Sequence, residues 1–121
     1  MEKINTIIDL SGNWIFEEDF YFGKDFGFAE WKQNENVISG IVEFTECINE
    51  RESFKVRLQI EGEVEGVHVF FSAKSYSIIE SKEPVEYCLD SWEGIVNKHG
   101  QIVGSSYDED GICGVFTMTR K

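Results

Sequence analysis

A single proline, Pro84, interrupts the 121 residues, and the apolar stretches are all short. No stretch is long enough to span a bilayer as a helix, and no segment keeps helical periodicity for many turns. Basic residues are scarce. There are 11 Lys and Arg against 23 Asp and Glu, a formal net charge of −12. That field repels nucleic-acid phosphates and anionic lipid, so neither nucleic acid nor a membrane is expected as a partner. Cysteine is sparse as well. Cys47, Cys88 and Cys113 are far apart, odd in number and without a CxxC pair. This argues against a disulfide framework and a zinc site and suggests reduced, mostly buried thiols. Histidine occurs only at His68 and His99, with no carboxylate at metal-ligand spacing. No metal and no cofactor is expected. The opening MEKINTIIDL lacks the apolar core and cleavage site of a secretory signal, so a cytoplasmic location is the expectation.

What the chain does hold is aromatic and β-branched residues in short runs, with 11 glycines. The clearest run is SFKVRLQIEG at 53–62. Phe54, Val56, Leu58 and Ile60 take one face, and Lys55, Arg57, Gln59 and Glu61 take the other. Period-two alternation of this kind marks a strand with one wet face. EGE then reads as a tight hairpin into EVEGVHVFFSAKSY at 63–76. Further runs lie at 13–18, 28–34, 37–46, 86–97, 101–107 and 112–120. The size fits one domain spanning 1–121. Eight antiparallel strands joined mainly by hairpins leave two exposed edges, and closing the sheet removes both. The expectation is an all-β fold with little helix, a single eight-stranded antiparallel meander barrel. An open sandwich is the competing arrangement. In-strand glycines permit the bends that closure needs.

Two features at the ends of the chain carry a resemblance. The first strand opens with Gly12-Asn13-Trp14, and the last ends on Arg120, in step with Phe116 and Met118. A tryptophan can plug a barrel mouth while a guanidinium lies flat on the indole and caps nearby carbonyls. The pattern resembles the calycin superfamily: lipocalins, fatty-acid-binding proteins and avidins. The resemblance implies a lipocalin-like barrel whose signature residues are Gly12, Trp14 and Arg120. It also implies a lead-in segment that closes one end of the barrel. The second lipocalin motif, T-D-Y before a late strand, has no convincing counterpart, and neither has the C-terminal helix.

Candidate site residues follow from the aromatics. Residues 17–28, EEDFYFGKDFGF, set aromatics around Gly23 and Gly27. The first connection of a calycin barrel is often a lid, and a glycine-hinged aromatic loop over 19–27 suits that role. Tyr21, Phe22 and Phe26 are the expected ligand contacts there, while Phe20 and Phe28 read as core. An inward set of Trp14, Phe16, Phe44, Phe70, Trp92 and Phe116 forms either the wall of a pocket or a filled interior. His68, amid Val67, Val69, Phe70 and Phe71, reads as a core histidine or as the polar anchor of a pocket. DEDG at 108–111 reads as an acidic turn. Glu43, Asp90 and Glu93 are strand carboxylates able to act as acid and base if paired inside. Ser105 and Ser106 lack a nucleophile-elbow context, and no phosphate loop is present.

Two functional readings remain open. One is a non-enzymatic binding protein for a small apolar or amphipathic ligand, held by Tyr21, Phe22, Phe26, Phe44, His68, Phe70 and Trp92. The other is an acidic protein-interaction module, such as an immunity or inhibitor protein, whose charge steers a basic protein partner. A barrel enzyme finds no support in the sequence.

Overall fold

A computed structural model describes residues 8–49 and 51–121. It contains eight strands: β1 (Gly12–Phe20), β2 (Gly23–Asn34), β3 (Val37–Ile48), β4 (Phe54–Glu65), β5 (His68–Glu80), β6 (Asp90–Val96), β7 (Ile102–Asp108) and β8 (Cys113–Arg120). Each pairs antiparallel with the next, and β1 pairs with β8 to close the barrel. The open-sandwich alternative is set aside, since closure leaves neither β1 nor β8 as an edge. Among the described residues no helix is long and apolar enough to cross a membrane.

Alternation fixes what lies inside. Trp14 and Phe16 on β1, Val42 and Phe44 on β3, and Phe116 and Met118 on β8 are all buried. On β4 the buried positions run Phe54, Val56, Leu58, Ile60 and Val64, with Gly62 continuing the same face. The hairpin expected at EGE is therefore not there. β4 carries on to Glu65, and the turn falls at Gly66-Val67, where Gly66 has φ 63°. A left-handed turn position of that kind favours glycine. The shift decides the facing of β5: Val69, Phe71 and Ala73 point in, and Phe70 points out.

The three cysteines are free, as expected, but Cys47 and Cys113 are exposed rather than buried. Both fall out of step with the inward positions of their strands.

The barrel ends are unlike. The lower end gathers the β2–β3, β4–β5 and β6–β7 connections with the lead-in from Ile8. The upper end gathers the other four connections, including the long one at 81–89 between β5 and β6. β5 pairs with β6 only from His68 to Ser72, whereas it pairs with β4 from His68 up to Glu80. The connection at 81–89 covers the resulting seam, and its Val85, Tyr87 and Leu89 pack against the core.

Candidate functional site

The lower end is sealed. Trp14 is fully buried, and its Nε1–H donates to the Leu10 carbonyl at 2.9 Å. The Arg120 guanidinium lies 4.5 Å from the centre of the Trp14 ring. It also donates to the Ser11 carbonyl at 3.0 Å and to the Asp9 carbonyl. Gln33 completes the seal by accepting from Leu10 N–H at 2.8 Å and donating to the Ile8 carbonyl at 2.7 Å. One charge thus stacks on an aromatic face and satisfies carbonyls that closure would otherwise leave bare.

The upper end holds a cavity of about 920 Å³, open between the upper connections. Its apolar lining includes Phe20, Phe22, Ile48, Phe54 and Tyr87. Phe20 and Phe22 meet edge to face at 5.2 Å. Tyr87 hangs over the mouth from the 81–89 connection, 6.1 Å from Phe44 and 6.3 Å from Phe54.

The polar part of this cup comes from β1, β3, β6 and β7, backed by Asp25 of β2. Glu18 continues the inward series after Trp14 and Phe16 and is only 6% exposed. Asp25 faces it directly across β2 and is 2% exposed, and Glu46 faces Asp25 from β3. Three acids thus stand side by side on neighbouring strands, above a floor of Phe16, Phe44 and Phe116. Asp90 enters from β6, beside Asp108 of β7, and accepts a hydrogen bond from the Tyr87 hydroxyl. Trp92 Nε1–H donates to Glu18 Oε1 at 2.7 Å, and Ser106 also serves Glu18.

Burial sets the protonation of the row, because a charge loses hydration there. It raises the Glu18 and Glu46 carboxyls above their ordinary values, and neighbouring acids add to the rise. It pushes Asp25 up to about 12, with Glu46 and Glu18 reinforcing it as like charges. Asp90 is pushed up to about 8 by burial, against the hydrogen bond from Tyr87. The Tyr87 hydroxyl is itself held protonated by burial and by Asp90. Asp25 is therefore the neutral, hydrogen-bond-donating member between Glu18 and Glu46. Its Oδ1 is buried and receives no hydrogen bond from any described residue.

The expected site residues divide. Phe44 and Trp92 are buried inside the barrel, and Phe22 lines the cup. Tyr21 is 99% exposed, and Phe26, His68 and Phe70 also lie on the outer surface, His68 stacked on Phe70. The expected lid over 19–27 is instead two strand ends joined at Tyr21-Phe22, because Phe20 and Gly23 are paired. Gly27 is no hinge. A Cβ there would meet the Glu43 carbonyl oxygen at 1.9 Å, so glycine permits a close approach of β2 to β3. Phe26 faces out because the inward positions of β2 are Asp25, Ala29 and Trp31. Of the strand carboxylates, Asp90 is inside, whereas Glu43 pairs with Arg57 at 2.7 Å and Glu93 is exposed. DEDG is the acidic turn expected, with Asp108 Oδ1 accepting from the Asp110 and Ile112 N–H groups at 2.9 Å.

Sequence reasoning missed Glu18, Asp25, Glu46 and Phe71. The signal was present in the first strand. Trp14, Phe16 and Glu18 are in step, and a strand entering a barrel core on Trp and Phe carries its next alternate residue inward too. The chain matches no family model, no curated protein and no solved structure.

Proposed function

We propose that this barrel is a small-molecule-binding protein of calycin type, a binder rather than an enzyme, and that it holds an amphipathic ligand in its upper cup. The observation that carries the reading is the contrast inside one barrel. The lower interior is filled by packed aromatics, with Phe71 stacked on Trp92 at 4.9 Å and Phe16 edge to face with Trp92 at 6.3 Å. The upper interior is a cavity of about 920 Å³ with aromatic walls and a polar floor. Pockets of roughly 300–1,000 Å³ that combine apolar lining with a few convergent polar groups suit small ligands. The Trp14–Arg120 stack supports the calycin comparison at the opposite end.

The test is direct. Native mass spectrometry of protein purified from its own host should reveal a retained small molecule. An uncharged fluorescent probe should bind saturably, one per chain, and perturb the emission of Trp92 beneath the cup. If neither the retained molecule nor saturable probe binding is found, the reading falls. The acidic outer surface, as a docking face for a basic protein, then becomes the stronger idea.

A further inference from the structure

The acids of the cup have no ion-pair partner among the described residues. Among the described residues the ion pairs are Lys24–Asp19, Arg57–Glu43 and Lys82–Glu52. None involves Glu18, Asp25, Glu46 or Asp90. Arg51, at the exposed rim, is the one basic side chain among the lining residues. An acid taken out of water without a counter-charge is costly, and hydrophobic residues in its place would pack more favourably. Glu18 and Glu46 also face open space rather than a packed wall. Behind them on β2, Asp25 is 2% exposed and stands outside the cavity wall, hydrogen-bonded to both.

We propose that the cup takes a small organic cation, with its nitrogen head against Glu18 and Glu46 and its apolar stem between Phe22, Phe54 and Tyr87. This rests on the binding reading above and supplies the ligand's chemistry. An ammonium, amidinium or guanidinium group provides several N–H donors. It can serve the Glu18 and Glu46 carboxylates together. The aromatic walls favour the same charge through their π faces. A carboxylate or phosphate head would meet like charge from every side of the floor. A bare metal ion fits poorly, because no group of three or more His, Cys, Asp or Glu among the described residues is arranged to hold one.

Binding must also move protons. A cation beside Glu18, Asp25 and Glu46 favours their ionised forms, and it favours that of Asp90 on β6, which sits next to Asp108 of β7. Tyr87 stays protonated above them. Loading the cup with a cation therefore releases protons to solvent at neutral pH, whereas an uncharged ligand of equal shape releases none.

The experiment is calorimetry on the full chain at pH 7, in two buffers of different ionisation enthalpy. The probes are 4-phenylbutylamine, phenylbutylguanidine, 4-phenylbutanol and 4-phenylbutanoate, with calcium and zinc ions run alone. The amine or the guanidine should bind at least tenfold more tightly than the alcohol and release protons, and the carboxylate should bind most weakly. In the double variant Glu18→Gln, Glu46→Gln that preference should vanish while alcohol binding persists. If that variant does not fold, the amine-to-alcohol ratio and the proton release in the native protein still decide. Equal binding of amine and alcohol overturns the cation assignment and leaves the binding reading standing. Binding of none of the four organic probes overturns both. A metal ion that binds and displaces the amine overturns the organic ligand in favour of an inorganic one.

Discussion

The two ends of this barrel solve the same problem in opposite ways. Each must close an eight-stranded tube whose inner residues are set by alternation. At the lower end one cation, Arg120, lies on Trp14 and caps the carbonyls of Asp9 and Ser11. At the upper end Glu18, Asp25 and Glu46 crowd together, and the cavity above them stays open. The lower end satisfies most of its polar groups within the chain, the buried Trp31 Nε1–H excepted. The upper end does so only in part, by keeping acids protonated. The difference teaches where stability was favoured and where an unfilled requirement was retained.

That contrast can be broken from either side. The largest effect should come from Trp14→Ala, which empties the sealed end. We expect a loss of about 3–5 kcal/mol in denaturant unfolding, the range for deleting a buried large aromatic. A loss below about 1 kcal/mol would show that the lower plug is dispensable.

The second test addresses the open end through pH. Asp25 is raised from 3.8 to about 12 and Asp90 from 3.8 to about 8. Between the unfolded and folded values the native state holds protons that the unfolded chain has released. Stability from these acids is therefore complete below about pH 4 and falls as pH rises, by about 1.4 kcal/mol per pH unit for each proton retained. The Asp90 contribution stops falling above about pH 8. Unfolding midpoints should be higher at pH 5 than at pH 8. Asp25→Asn should make that slope shallower by about one proton's worth, and an unchanged slope would remove Asp25 from the titrating set.

Arg120→Met should cost about 1–2 kcal/mol through the lost stacking and carbonyl contacts. A thermal melt reads it, and probe binding at the far end should stay unchanged. Tyr21→Ser should change neither stability, within about 0.5 kcal/mol, nor probe affinity, because this side chain is almost wholly in water. A measurable affinity loss there would bring back the lid that the strand pairing excludes.

Much of the scaffold was legible in the sequence because alternation is local. The strand at 53–62 declares its faces without help, and the Gly12-Asn13-Trp14 start with Arg120 at the far end gave the sealed mouth. What alternation cannot supply is its own origin. Reading the hairpin at EGE rather than at Gly66-Val67 carried the even-numbered inward positions of β4 on into β5 and turned Phe70 inward in place of Phe71. A one-residue slip reverses every side chain of a strand. The acid row was hidden for another reason. Glu and Asp normally mark the wet face, so the pattern Trp14, Phe16, Glu18 reads as a strand leaving the core. Only the register across β1, β2 and β3 shows that Glu18, Asp25 and Glu46 converge.

The short pairing of β5 with β6 gives the barrel a preferred route of local opening. Above Ser72 the second flank of β5 has the 81–89 connection beside it instead of a ladder partner. Amide protons along that flank, at 73–80, should exchange with solvent sooner than those of β3, which is paired on both sides from Val37 to Glu46. A molecule reaching the cup need not pass between rigid strands. If the cup holds a ligand as proposed, the expected entry is past the connection bearing Tyr87, and slowing that segment's opening should slow both loading and release.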